Sequence, residues 1–216
     1  VLHAICFMQG ECCVAGSRLL VSEEIHDEFV ERLVEKAEQL VIGDPSDPKT
    51  EIGPMIHEKH MEKVLNYIQI GIDEGAKLVT GGSRHLDKPC DAGYFVKPTI
   101  FTGVENSMTI ARDEIFGPVL SVISFKSEEE AIRIANDTQY GLAASIWTKE
   151  LDRAFRVAKK IRAGTIWING HLNAYPELPF GGYKASGLDR EMSRHGIESF
   201  TEVKTIQFHH AEKGNN

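Results

Sequence analysis

The chain has 216 residues, of which 42% are hydrophobic and 26% charged, enough to bury a real core in one large domain or two small ones. A net charge of −8, with lysines and arginines interspersed among acids, excludes the basic surface that nucleic acid requires. No apolar run reaches the ~18 residues of a membrane span. The apolar start is interrupted by Gly10, Glu11 and Arg18 and lacks the basic lead of a secretion signal, so a cytoplasmic protein with no membrane partner is expected.

In chain order, Ser17–Val21 reads as a short strand. Ser22 is placed to cap a helix whose apolar stripe is Ile25, Phe29, Leu33, Val34, Ala37 and Leu40. Gly43-Asp44-Pro45 ends that helix, and Pro45–Pro54 is a proline-rich loop. A second amphipathic helix points Met61, Val64, Leu65, Ile68 and Ile72 inward, followed by a strand and turn over Ala76–Gly82. Tyr94–Phe101 is extended, with Pro98 arguing against a central strand. Val119–Phe125 is a continuous apolar run, the pattern of a strand buried on both faces. Ser127 and Glu130 form a capping box for the next helix. Ala143–Thr148 is a strand, then a helix carries Ala154, Phe155, Val157 and Ala158, and Thr165–Asn169 is a further strand. Strand, helix, strand, helix, strand at this spacing predicts an α/β fold with an open, mostly parallel sheet and crossover helices.

The chain opens at Val1 directly on an apolar segment, from which part of a longer polypeptide is expected. Its cysteines are Cys6, Cys12, Cys13 and Cys90. They show no zinc-ligand spacing and no C-x-x-C, and they are too sparse for a disulfide scaffold, so no metal site is expected. Cys6 and Cys90 read as buried thiols. His57 and His60, three apart on a helix, read as a surface pair. Gly182–Gly187 has the glycine spacing of a phosphate loop, but Leu188-Asp189 replaces the Lys-Ser/Thr pair.

Three segments carry chemistry. In Gly10-Glu11-Cys12-Cys13-Val14-Ala15-Gly16, glycines flank a cysteine, so backbone can approach closely and a backbone N–H can face an oxyanion. Asp113–Val119 (DEIFGPV) sets two carboxylates and an aromatic ahead of the buried strand, and by itself is equally a polar turn with one core phenylalanine. Pro179–Gly187 (PFGGYKASG) is a glycine-rich loop that either lines a pocket or makes a tight turn.

Together and in this order, the segments resemble the aldehyde dehydrogenase superfamily, specifically its catalytic half, over essentially the whole chain. Aligning Gly10, Ala15, Gly16 and Arg18 on the family's cysteine motif places the nucleophile at Cys13 and leaves Cys12 at a variable position. Glu11 stands where glutamine is commoner, and would raise the thiol pKa if it pointed inward. EIFGPV resembles the cofactor-ribose motif, which implies that Glu114 accepts hydrogen bonds from the nicotinamide-ribose hydroxyls and that Phe116 packs near the nicotinamide. The late segment resembles the substrate pocket, with Phe180 walling the aldehyde tunnel. Ser199–Phe208 resembles the oligomerisation strand, so the resemblance divides the chain into a catalytic domain, 1–198, and an oligomerisation strand and tail, 199–216.

The resemblance implies an NAD(P)-dependent aldehyde dehydrogenase that forms a thiohemiacetal and then a thioester on Cys13, acts on a small aldehyde and assembles as a homo-oligomer, dimer or tetramer. It also implies that NAD or NADP is bound mainly by an N-terminal domain absent from this sequence, together with the general-base glutamate and an oxyanion asparagine. The isolated chain is therefore expected not to be fully active. Two other readings stay open: a non-catalytic oligomerisation module, and a cofactor-independent cysteine esterase.

Overall fold

The computed structural model describes residues 1–209. Its helices and strands run α1 (Leu2–Cys6), β1 (Arg18–Ser22), α2 (His26–Glu38), α3 (Glu58–Asp73), β2 (Lys77–Thr80), β3 (Thr99–Thr102), α4 (Thr109–Arg112), β4 (Val119–Phe125), α5 (Glu128–Asn136), β5 (Ala143–Ile146), α6 (Leu151–Ala158), β6 (Thr165–Ile168) and α7 (Ser193–Glu198). Four strands form one sheet in the order β1-β4-β3-β2. β4 runs parallel to both of its neighbours, β1 and β3, and β2 closes the far edge antiparallel to β3. β5 and β6 pair in parallel as a second, two-stranded sheet.

The continuous apolar sequence of β4 follows from its position. Val119 and Ile123 face one core with Met61, Val64 and Ile68 of α3 and with Phe101, Ile110 and Ile134. Leu120 and Val122 face a second core with Val30, Leu33 and Ala37 of α2 and with Ile5, Val21 and Ile100. A strand covered on both faces has no solvent side, so alternation disappears. The one polar residue in its middle, Ser121, is fully buried and donates its hydroxyl to the Ile110 carbonyl at 3.1 Å. That satisfies a group whose burial would otherwise cost free energy.

Several expectations are corrected. β4 and β5 do not share a sheet, because both flanks of β4 are already occupied by β1 and β3. β3 is an interior strand despite Pro98, because the proline lies immediately before its first residue and removes no ladder N–H from within it. Ser22 makes no side-chain cap; a short 3₁₀ turn, Glu23–Ile25, intervenes before α2. Ile25, Ile72 and Phe155 face solvent rather than the core. The oligomerisation strand is expected only against a partner, and in the single chain residues 201–209 form neither helix nor strand. A strand exists only against a partner that completes its ladder.

The capping box forms with its return bond shifted from the N-cap N–H to that of the residue before it. Ser127 Oγ accepts the Glu130 N–H at 3.2 Å, while the Glu130 carboxylate reaches back to the Lys126 N–H at 2.8 Å. Replacing Ser127 by Ala leaves an N-terminal donor of α5 without its side-chain acceptor. The expected cost is about 1 kcal/mol of unfolding free energy, read as a lower urea midpoint at unchanged slope.

Candidate active site

The cysteine loop and the Asp113–Val119 segment meet backbone to backbone. Gly10 has φ +76°, and a Cβ built on it would lie 2.3 Å from the carbonyl carbon and oxygen of Gly117 and 2.8 Å from Pro118 N. Only glycine supplies both the left-handed conformation and the missing side chain. The contact holds Phe116, itself at φ 61°, next to the loop that carries Cys13.

A second link crosses the same seam. The His60 ring is nearly buried, its side chain 13% exposed. Its Nε2–H donates to the Phe116 carbonyl at 2.7 Å and lies 3.5 Å from Glu11 Oε1. The same carboxylate oxygen accepts the Ile56 N–H at 3.1 Å. His57 stays exposed and uses Nδ1 to cap the start of α3 by accepting the His60 N–H at 3.0 Å. His57 and His60 are therefore not a surface pair: one caps a helix, and the other bridges two loops. Glu11 is engaged with Ile56 and His60, so the sequence-level concern that its carboxylate presses on the thiol is not what the geometry shows. Among the described residues no group of three or more His, Cys, Asp or Glu could hold a metal ion.

Cys13 is exposed, whereas Cys6 and Cys90 are buried and Cys12 is intermediate. Cys12 and Ala15 close a turn through an N–H to carbonyl bond of 2.9 Å, which puts Cys13 and Val14 at its two central positions. Loss of water around the sulfur pushes the Cys13 thiol above its ordinary pKa, and the neighbouring Cys12 adds to this; the N–H groups of Cys13 and Val14 oppose the shift. Among the described residues, no cation is in the set of groups acting on it. Burial drives Cys6 up to about 12.

Glu114 is exposed, and its carboxylate makes no hydrogen bond or ion pair among the described residues; its backbone carbonyl accepts Lys63 Nζ at 3.3 Å. Tyr67 ties down the adjacent Asp113 with a hydroxyl bond of 3.1 Å. The first two predicted segments are thus brought together, with Glu114 presented at their edge.

The third segment packs beside the second sheet, and among the described residues no hydrogen bond ties it to the first two. Phe180 is half-buried and bridges Glu191 through two backbone bonds, of 2.9 and 2.7 Å. Behind it, a Cβ on Gly164 would fall within 1.7 Å of the Gly181 carbonyl oxygen, so the glycine loop also packs backbone against backbone. Two basic motif residues turn out to be staples. Arg18 donates to Asn106 and to the carbonyls of Ile134 and Ala135, and Lys184 donates to the carbonyls of Asn136 and Thr138. Both bind the carboxyl end of α5, where unpaired carbonyls and the helix dipole favour cations.

Sequence reasoning missed His171. Its Nε2 lies 3.0 Å from the Val14 carbonyl, and its Nδ1 lies 2.6 Å from Ser145 Oγ on β5. The available signal was positional: His171 follows β6 closely, in the turn at the carboxyl end of a parallel strand, where α/β proteins place their ligand-facing groups.

Two outcomes follow from this geometry. Gly10→Ala forces a Cβ into Gly117 backbone in a left-handed conformation; strain and overpacking together are expected to lower unfolding free energy by about 2–5 kcal/mol in urea titrations. Because the Cys13 pKa is raised, its thiolate population grows only at alkaline pH. Its alkylation rate is therefore expected to climb from neutrality past the range where an unperturbed thiol has levelled off; a plateau below that range contradicts the environment described.

Residues 1–206 match the family model described as "Aldehyde dehydrogenase family". Betaine aldehyde dehydrogenase of Bacillus subtilis (strain 168) is 47% identical over 205 residues, covering 95% of this chain and 42% of that protein. The crystal structure of NAD-dependent aldehyde dehydrogenase from Sinorhizobium meliloti superposes with a TM-score of 0.92 at 43% identity, over 99% of this chain and 42% of that one. That of betaine aldehyde dehydrogenase from Staphylococcus aureus in complex with NAD+ superposes with a TM-score of 0.91 at 39% identity, over 92% of this chain and 40% of that one. The chain thus spans about two fifths of the length of these relatives, and across that span it belongs to the aldehyde dehydrogenase family.

Proposed function

We propose that this chain supplies the nucleophile, one side of the cofactor clamp and part of the aldehyde pocket of an enzyme that oxidises an aldehyde to a carboxylic acid. The observation that carries the reading is the Gly10–Gly117 backbone contact, which sets the Cys13 loop against the segment presenting Glu114 and Phe116. The cofactor is a nicotinamide dinucleotide, NAD in the two crystal structures named above, with most of its binding surface outside these residues.

The residues fit such a cofactor in one checkable respect. Glu114 holds an exposed carboxylate that no protein group engages among the described residues. A carboxylate accepts from two neighbouring hydroxyls at once, as a ribose offers them. Phe116, beside it, offers an aromatic edge for the nicotinamide side, and Phe180 offers an apolar wall for the aldehyde chain.

Cys13 as thiolate attacks the aldehyde carbon, forming a C–S bond and leaving charge on the carbonyl oxygen. The turn at Cys12–Ala15 keeps the N–H groups of Cys13 and Val14 on the sulfur's side of the loop, where they can stabilise negative charge. A nicotinamide held there would supply the hydride acceptor that the oxidation requires. Cys13 then holds the acyl group as a thioester until water attacks the carbonyl; the C–S bond breaks, the acid leaves and the thiolate is restored. Among the described residues no cation acts on Cys13 and its thiol is pushed toward the neutral form, which supports the reading that the chain alone is not fully active.

The 199–216 segment is proposed to dock on a neighbouring copy of the chain, giving a dimer or tetramer. Phe200, in the turn that ends α7, and Val203 and Ile206 beyond it are each at least 85% exposed, an apolar surface unusual for a monomer. A cytoplasmic location remains our reading, and no described helix is long and apolar enough to cross a membrane.

In the full enzyme, Glu114→Gln is expected to slow single-turnover hydride transfer roughly ten- to a hundredfold, the worth of one charged hydrogen bond at about 1.5–3 kcal/mol. An unchanged rate makes Glu114 a turn residue only. Truncation before Phe200 is expected to give a smaller particle by sedimentation with Cys13 labelling intact; an unchanged particle size removes the assembly role of the tail.

A further inference from the structure

We propose that His171 is a positioning residue for the nucleophile: by holding the Val14 carbonyl it fixes the turn that presents Cys13, rather than Cys12, to the substrate. The proposal rests on the reading of Cys13 as the nucleophile.

The hydrogen-bond pattern defines the imidazole completely. A carbonyl only accepts, so Nε2 carries the proton that reaches the Val14 oxygen at 3.0 Å. Nδ1 is then the acceptor, and Ser145 donates its hydroxyl to it at 2.6 Å. The neutral ring satisfies both bonds, and burial favours that neutral form by pushing the His171 pKa down. Trp167 packs edge-on against the ring with centroids 4.9 Å apart and so fixes its plane. Ser145 lies on β5 and Trp167 on β6, so the ring is oriented by the second sheet while its donor reaches the cysteine loop, 157 residues away in sequence.

The loop makes this contact consequential. Cys12 and Cys13 are adjacent thiols, and the choice between them is set by how the turn is rotated. The Cys12–Ala15 bond holds the Val14–Ala15 peptide by its N–H, and His171 holds the same peptide by its carbonyl, so this plane is gripped at both ends. The preceding Cys13–Val14 peptide, whose rotation distinguishes the turn types, then pivots against a fixed neighbour. On one side Gly10 and Glu11 are held by Gly117, Ile56 and His60. On the other side Gly16 N–H bonds the Ala4 carbonyl at 2.9 Å. His171 holds the carbonyl between these anchors, one residue beyond Cys13.

The test separates hydrogen bonding from packing. His171→Gln keeps a donor for Val14 and an acceptor for Ser145 but loses the ring; His171→Phe keeps the ring against Trp167 but loses both bonds. Each variant and the wild type are treated with a limiting thiol reagent, and the rates at Cys13 and Cys12 are read by peptide mass spectrometry, with urea midpoints measured in parallel. The wild type is expected to favour Cys13, and His171→Phe to cut the Cys13-to-Cys12 ratio about five- to tenfold, the net worth of one hydrogen bond, with His171→Gln restoring most of it. Ser145→Ala, which releases the ring without touching the loop, is expected to fall between. A ratio that Phe preserves and Gln loses overturns the proposal in favour of ring packing, and a ratio that follows only the urea midpoints reduces His171 to a stability residue. A wild type that labels Cys12 first overturns the nucleophile assignment itself, whatever the variants do.

Discussion

The site depends on two glycines that touch. Gly10 and Gly117 come from segments more than a hundred residues apart, and their backbones approach so closely that no side chain fits between them. That contact sets the distance between the cysteine loop and the segment carrying Glu114 and Phe116. It can be maintained only because β4 begins directly after Gly117-Pro118 and is fixed between two cores. Interiors packed to crystal-like density do not deform gradually, so a strand buried on both faces is a rigid mount for the loop at its start.

Around that contact the loop is anchored by polar groups from three directions. His60 and Ile56 hold Glu11, Ala4 holds Gly16, and His171 reaches Val14 from the other sheet. The two histidines do comparable jobs from opposite sides, each donating Nε2–H to a backbone carbonyl. The exposed thiol therefore sits on a restrained turn, whose backbone has little conformational freedom left to lose on binding.

Much of this was legible in the sequence, for identifiable reasons. The run Val119–Phe125 announced a two-sided strand, and Ser127-x-x-Glu130 announced the start of a helix, because each pattern is local and has one physical cause. Helix faces were read less well at their ends, where Ile25 and Ile72 keep the helical spacing but lie beyond the reach of either core. Pro98 misled because its effect turns on a single register position, which pairing decides and spacing does not reveal. The separation of β5 and β6 from the first sheet was likewise a matter of which edges were already taken. The roles of His60, His171, Arg18 and Lys184 were illegible for one shared reason. Each acts on a backbone carbonyl distant in sequence, and a carbonyl has no letter of its own.

The account's central claim is that Cys13 carries the acyl group during aldehyde oxidation. The most direct measurement is an acid quench of the full enzyme turning over an aldehyde with NAD, followed by peptide mass analysis of its cysteines. The account predicts a thioester mass increment on the peptide containing Cys13, assigned to that residue by fragmentation, and abolished in Cys13→Ser but not in Cys12→Ser. An acyl group found on Cys12, or substrate oxidised at the normal rate by Cys13→Ser, would contradict it.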